Sequence, residues 1–285
     1  MLQKLIPFIF ILFISAVQAE QFQAPFTDTH WLVVESPLEC SLSQTITDFG
    51  EAKFIQSSGR NGELSLIFST HSFPASESNV SFEIAEAPWQ NSNDRLPLVS
   101  IPTAKNQTQF SISGDLAKQA LTHIQEGRFP TIRYRSRNST EQIHALLSTV
   151  HFSDSMPAFQ QCLQNLSPYT FEDKQQLTLY FSSESAALST ANQDALTQLA
   201  EYVKIDDAVK RVVISGFTDN HGRKRLNIPL SEARAVSIKN FLVQQSNLPE
   251  NLITTTFHRE FKPAATNTTV AGRAINRRAE IKLLR

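Results

Sequence analysis

The sequence predicts an α+β protein in two parts: an antiparallel β-rich N-terminal domain over residues 20–168, then an α/β sandwich of order βαβαββ over residues 169–285. Three observations predict it. From Trp31 to about Ser153, apolar residues alternate or run in short stretches bounded by Pro, Ser and Asn, the pattern of strands. Around LSPYTFEDKQ, Leu166 to Gln175, this changes to strands alternating with helical periods. At 285 residues the chain is also longer than most single cores, which commonly stop growing near ~150 residues and rarely exceed ~250.

The chain opens MLQKLIPFIFILFISAVQAE. Lys4 precedes an apolar run from Leu5 to Ala16, and Val17 and Ala19 are small residues at −3 and −1 of a cut site. This is the pattern of a secretory signal peptide over residues 1–19, with cleavage expected after Ala19. The run is shorter than the ~20 apolar residues that span a bilayer, so a retained anchor is the weaker reading. Export bears on Cys40 and Cys162, the two cysteines of the chain. In an oxidising compartment an even count predicts one bridge, with two buried free thiols as the other reading.

The N-terminal strands are expected at WLVVES, ELSLIFST, VSFEIAEA, PLVSI, QFSIS, TIRYRS and HALLSTVHF. One helix interrupts them, GDLAKQALTHIQEG, where Leu116, Ala120 and Ile124 share a face and Gly127 marks the stop. A short helix, MPAFQQCLQNL, closes the domain and carries Cys162. The C-terminal elements are strand QLTLYF, helix TANQDALTQLAEYV, strand VKRVVISGF, helix SEARAVSIKNFLVQQ, and strands LITTTF and RAEIKLL. Thr190 and Gln193 have capping-box spacing at the first of these helices, and Leu196, Leu199 and Val203 form its stripe.

Lys and Arg number 26 against 27 Asp and Glu, a net charge of −1, so no nucleic-acid partner is implied. None of the seven histidines sits at metal-ligand spacing, and no metal or cofactor is expected. Against this neutral background, GFTDNHGRKRLNIPLSEARA concentrates Asp219, Arg223, Lys224, Arg225, Glu232 and Arg234. Thr218 and Asp219 leave the carboxyl end of a strand, where α/β folds gather ligand-binding groups. Ser231 is expected as the N-cap of the next helix, with Glu232 and Arg234 in its first turn beside free N–H groups. A carboxylate and a guanidinium so placed suit a zwitterion, although the same two residues could be surface charges or each other's salt bridge.

LSEARAVSIKNFL, Leu230 to Leu242, resembles the OmpA-like peptidoglycan-binding pattern LSxxRAxxVxxxL at every fixed position, with Ile238 for Val. Thr218-Asp219 upstream and INRRAEI, Ile275 to Ile281, stand in the order of that family. The resemblance implies a βαβαββ domain that binds diaminopimelate of the peptidoglycan stem peptide without a covalent bond. Asp219 and Arg234 would be its clamp, with Thr218, Asn227 and Leu230 as lining and Arg278 as support. The chain departs from the family at TFHREFKP, which lacks the usual Gly-aromatic-Gly turn.

SPLECSLSQTITDFGEAKF, the helix leading to GRFPTIRY, and FxxCLxNL ending in PYTFED resemble the MotY family of sodium-driven polar flagellar motors. That likeness implies a periplasmic T-ring component. Its disulfide-bearing N-terminal domain would attach to the flagellar basal body and a MotX-like protein, helping to hold PomA/PomB-type stator units. A generic OmpA-family envelope anchor is the alternative, and a cell-wall hydrolase the weaker one. Ser-x-x-Lys and His-Glu-x-x-His are absent from the sequence, and no enzyme activity is expected.

Overall fold

The computed structural model describes residues 19–87, 90, 94–221 and 224–285. The expected leader, apart from Ala19, lies outside them, as do Gly222 and Arg223. The chain forms two compact units. The first includes Glu39–Gln56 and Glu63–Gln164 with the chain before Ser36; the second is Asn165–Arg285 with Ser36–Leu38 and Ser57–Gly62. Among the described residues, no helix is long and apolar enough to cross a membrane.

The first unit contains β1 (Ala19–Gln23), β2 (Trp31–Glu35), β3 (Glu39–Ile46), β4 (Gly50–Ser57), β5 (Ser65–Thr70), β6 (Ser78–Ala85), β7 (Arg95–Thr103) and β8 (Gln109–Ser113). Then follow α1 (Asp115–Gln125), β9 (Phe129–Arg135), β10 (Gln142–Leu146) and α2 (Phe152–Gln164). They make two five-stranded sheets, of order β2-β3-β4-β5-β8 and β1-β10-β9-β6-β7. One pairing differs from the antiparallel expectation. β1 runs parallel to β10, Ala19 opposite Gln142.

β3 and β4 are elements that counting apolar residues underestimates. In β3 the inward positions Cys40, Leu42, Gln44 and Ile46 are buried, yet Gln44 breaks the apolar series. Its amide is satisfied by one backbone unit: Gln44 Nε2 donates to Ser148 O (3.0 Å), and Ser148 N–H donates to Gln44 Oε1 (2.8 Å). A polar side chain is tolerated in a core when its hydrogen bonds are made there. The strand expected through VHF stops at Leu146, and Phe152 already opens α2. Between them His151 has a left-handed backbone (φ 57°) and its ring bonds Asp154 (2.9 Å), which turns the chain into the helix. In α1 the buried stripe is Ala117, Ala120 and Ile124, with Leu116 at its edge.

Cys40 on β3 and Cys162 on α2 are joined in a disulfide across 122 residues. Closing so long a loop restricts the unfolded chain, by up to ~4–5 kcal/mol in the entropic account. Replacing both cysteines by serine is expected to lower unfolding free energy by about 2–4 kcal/mol, read from urea titration. Reductant should then have no further effect on that variant.

A charged ladder crosses the second sheet. Glu83 on β6 is buried and accepts from Arg133 on β9 (2.6 Å) and Arg95 on β7 (3.5 Å). His144 on β10, opposite Arg133 in the register, is buried with its Nε2 unbonded. Burial, then Arg95 and Arg133, push the imidazole down to about 4, with Glu83 opposing. The unfolded chain therefore takes up a proton near the ordinary 6.5 that the folded one refuses. Stability from this group is complete above about 6.5 and lost as pH falls towards 4. His144→Gln is expected to flatten the melting-temperature profile across that window, as differential scanning calorimetry would record.

The second unit contains α3 (Phe171–Lys174), β11 (Gln176–Tyr180), α4 (Thr190–Ile205), β12 (Arg211–Phe217) and α5 (Lys224–Asn240). After a π-turn over Phe241–Gln245 and a short 3-10 turn come β13 (Ile253–Arg259), α6 (Val270–Asn276) and β14 (Arg278–Leu284). The sheet order is β11-β14-β12-β13, with β12 and β13 parallel and the other pairings antiparallel. The expected βαβαββ order is present, with α3 and α6 added. Leu196, Leu199 and Val203 of α4 and Ala235, Ile238 and Leu242 of the second helical segment pack on Val212, Ile214 and Ile281 of the sheet. At α4 the cap is Ser189, which accepts from Asn192 N–H (3.2 Å), one residue before the Thr190 the spacing suggested.

Candidate functional site

β12 carries buried Val212 and Ile214 on its core face and reaches the sheet edge at Gly216 and Phe217. α5 crosses the strand at Gly216, where an added Cβ would stand 2.0 Å from the carbonyl oxygen of Ser231. Glycine is therefore required at the crossing. The close approach brings Arg234, next along the same helix, against the strand's end.

Arg234 is fully buried. It donates from Nη1 to Phe217 O (2.7 Å), from Nε to Ser185 O (2.9 Å) and from Nη2 to Ser182 O (3.2 Å). Its guanidinium also lies 5.2 Å from the centre of the Phe181 ring. Burial pushes its pKa down to about 10, with Asp219 opposing and Arg277 adding. It is still a cation at neutral pH. Three carbonyls take three of its five N–H donors, leaving one on each Nη.

Asp219 is nearly buried, and the backbone beyond it folds back so that His221 N–H donates to Oδ1 (3.1 Å). Its Oδ2 pairs with Arg277 Nη1 at 3.0 Å. Asn227 Nδ2 reaches Asp219 O at 3.4 Å, and Thr218 Oγ1 is buried without a hydrogen-bond partner. Thr218, Asp219, Asn227, Leu230 and Arg234 line one cavity of about 240 Å³, joined by Arg277, Ser183, Glu184, His221 and Leu226. Two side chains of each sign thus face a small hollow, which suits a ligand carrying both charges.

Two sequence expectations are corrected. Helix α5 begins at Lys224, not at Ser231, and Pro229 lies inside it. Pro229 is the sixth residue of the helix and has no N–H for the carbonyl of Arg225 four residues back, so α5 forgoes one interior hydrogen bond there. Ser231 is accordingly not a cap; its hydroxyl donates to Ile228 O (2.9 Å). The anion-seeking groups at this site are therefore the Arg234 and Arg277 side chains, without the N–H groups of a first turn at Ser231. The second correction concerns the NRR segment. Arg278 lies outside the cavity: it bonds Glu280 (2.8 Å) and Lys262 O (3.1 Å) and stacks 4.0 Å over Phe217. Arg277 is the cavity's arginine. Successive residues at a strand start point to opposite faces, and only the register decides which faces inward.

The sequence reading also missed Asn276, which is fully buried. Its Oδ1 accepts from Ala264 and Ala265 N–H (2.8 and 3.0 Å), and its Nδ2 donates to Ala265 O and Asn267 Oδ1 (2.8 and 2.9 Å). Asn267 Oδ1 in turn accepts from Asn220 N–H (3.2 Å), so this amide steadies the loop that carries Asp219. Its one sequence signal is its place just before Arg277.

The two halves match two families: the MotY N-terminal domain over residues 22–168 and the OmpA family over residues 180–277. The class is thus a MotY-type N-terminal domain joined to an OmpA-family domain. Over 270 residues the chain is 30% identical to the sodium-type flagellar protein MotY of Vibrio parahaemolyticus, covering 94% of this chain and 92% of that one. The chain belongs to the MotY family. The peptidoglycan-binding protein ArfA of Mycobacterium tuberculosis is 38% identical over 102 residues, 35% of this chain and 30% of its own length. The solved cell wall anchor of the T6SS from Pseudomonas aeruginosa is 28% identical, covering 38% of this chain and 80% of its own, with a TM-score of 0.34.

Because Gly216 sets the approach of α5, Gly216→Ala is expected to cost roughly 1–3 kcal/mol or more, the range for overpacking. Chemical denaturation would measure this.

Proposed function

We propose that this protein is a periplasmic component of the bacterial flagellar motor whose C-terminal domain holds peptidoglycan non-covalently. The free amino-acid end of diaminopimelate enters the cavity at the end of β12. Its ammonium meets the Asp219 carboxylate, and its carboxylate takes the remaining donors of Arg234 together with Arg277. Thr218 supplies the hydroxyl that otherwise has no partner, and Asn227 and Leu230 bound the aliphatic part. The observation that carries this reading is the buried, ready-made arrangement: a desolvated guanidinium and an unpartnered buried hydroxyl beside a carboxylate in one hollow.

Family membership supports the motor assignment, and the OmpA-family match supports the wall-binding one. On this reading the N-terminal domain joins a MotX-like protein and the basal body in the T ring. The wall grip then helps hold PomA/PomB-type stators against the torque they generate. Binding and release, not bond cleavage, is the chemistry proposed.

Sedimentation with purified sacculi tests the grip. Asp219→Asn, which preserves shape, and Arg234→Ala are expected to weaken binding by roughly 30-fold or more, since truncating one partner of a buried charge pair costs about 2–5 kcal/mol. Arg278→Ala should change binding less than about threefold, as its side chain lies outside the hollow. Full binding by Asp219→Asn with native circular dichroism would overturn the assignment. A deletion strain should lose motility and stator localisation; normal swimming would remove the motor role and leave the wall grip.

A further inference from the structure

A second hollow lies on the other side of the first turns of α5. It measures about 440 Å³ and is lined by Ile228, Phe257, His258, Arg259 and Phe261. Phe257 and Phe261 are 48% and 55% exposed, and Ile228 40%. Large rings left in water at one spot mark a binding surface more often than chance scatter does. The guanidinium of Arg259 lies 4.4 Å over the Phe261 ring, so an aromatic floor is edged by a fork of donors. Arg259 and Lys262 both hold a left-handed backbone (φ 54° and 60°), a costly conformation for side-chain-bearing residues. Phe261 N–H closes the turn onto His258 O (3.0 Å). This is the segment where the chain departs from the family's glycine-rich turn.

The two hollows share a wall. Asn227 lines the first and its neighbour Ile228 the second. Thr218 N–H donates to Arg259 O (2.9 Å), and the Phe217 ring stacks on His258 with centroids 5.1 Å apart. In peptidoglycan, two residues separate diaminopimelate from the amino sugar, a reach of roughly 7 Å at ~3.3–3.6 Å per residue. A polymer anchored in the first hollow thus holds its sugar near the first hollow's rim, and the second hollow adjoins that rim through Asn227–Ile228 and Thr218–Arg259.

We propose that the Phe257–Phe261 groove is a subsite for the N-acetylated amino-sugar backbone of the same polymer. This rests on the reading of the first hollow as the diaminopimelate site. A pyranose presents a flat C–H face of slight positive charge, which fits the negative face of Phe257 or Phe261. Its amide and hydroxyl oxygens, at the ring's rim, accept from Arg259.

The test uses the full-length mature protein and three probes in calorimetric titration: the diaminopimelate tripeptide, the same tripeptide on its GlcNAc-MurNAc disaccharide, and the peptide-free disaccharide. The wild type is expected to bind the disaccharide-tripeptide about tenfold more tightly than the tripeptide, a gap of about 1.4 kcal/mol. Phe257→Ala with Phe261→Ala should close that gap and leave the tripeptide Kd within about twofold. In nuclear magnetic resonance, the peptide-free disaccharide should shift the amides of 257–261 in both the wild type and Asp219→Asn. Equal wild-type affinity for the two peptides, or no such shift, would overturn the sugar subsite. A tripeptide that fails to bind while the disaccharide still shifts 257–261 would instead overturn the diaminopimelate reading and keep the subsite.

Discussion

A buried cation is the constraint on which the C-terminal unit is arranged. Taking a guanidinium out of water is unfavourable by several kcal/mol unless its hydrogen bonds are remade inside. Arg234 remakes three of them with carbonyls of Ser182, Ser185 and Phe217, so the segment after β11, the end of β12 and helix α5 converge on one side chain. The convergence is possible because Gly216 has no side chain to hold the helix off the strand. Removal of the cation would leave carbonyls from two segments without donors, and the hollow beside them would lose its wall.

The same economy of means appears around Asp219. Its carboxylate is held between Arg277 and the His221 amide, while Asn276 and Asn267 steady the loop from below. These contacts are made before any ligand arrives. A preorganised site of this kind spends less of its interaction energy on ordering side chains when it binds. That property suits a proposed wall anchor, which must stay engaged under load. The turn at the end of β13, Phe257–Phe261, continues the same end of the sheet, since β13 runs parallel to β12 and ends beside it.

The N-terminal unit solves a different problem. Its sheets contain buried polar side chains, two of which are matched by partners on other segments, Gln44 by the backbone of Ser148 and Glu83 by Arg95 and Arg133, while His144 Nε2 has none. The disulfide between β3 and α2 ties the start of the unit to its end and limits what the unfolded chain can explore. On the proposed reading, a motor component outside the cytoplasm gains from a cross-link that does not depend on pH or salt.

Much of this protein was legible in its sequence. Period-two strands, the helical stripe Leu196, Leu199 and Val203, and the order βαβαββ follow from local patterns, because burial of one face imposes them residue by residue. The pairing of Asp219 with Arg234 was suggested by their places at a strand end and a helix, while Thr218, Asn227 and Leu230 were implied by the resemblance to the OmpA-like pattern; the structure lines one cavity with all five. Other features depended on contacts between distant segments. The parallel pairing of β1 with β10, the choice of Arg277 over Arg278, the early start of α5 through Pro229 and the hub at Asn276 each turn on register or on a partner far along the chain. Residue order limited which side chains and local periods were available; which of them meet was left to strand register and helix approach, because these are settled by packing and hydrogen bonding across the sheet.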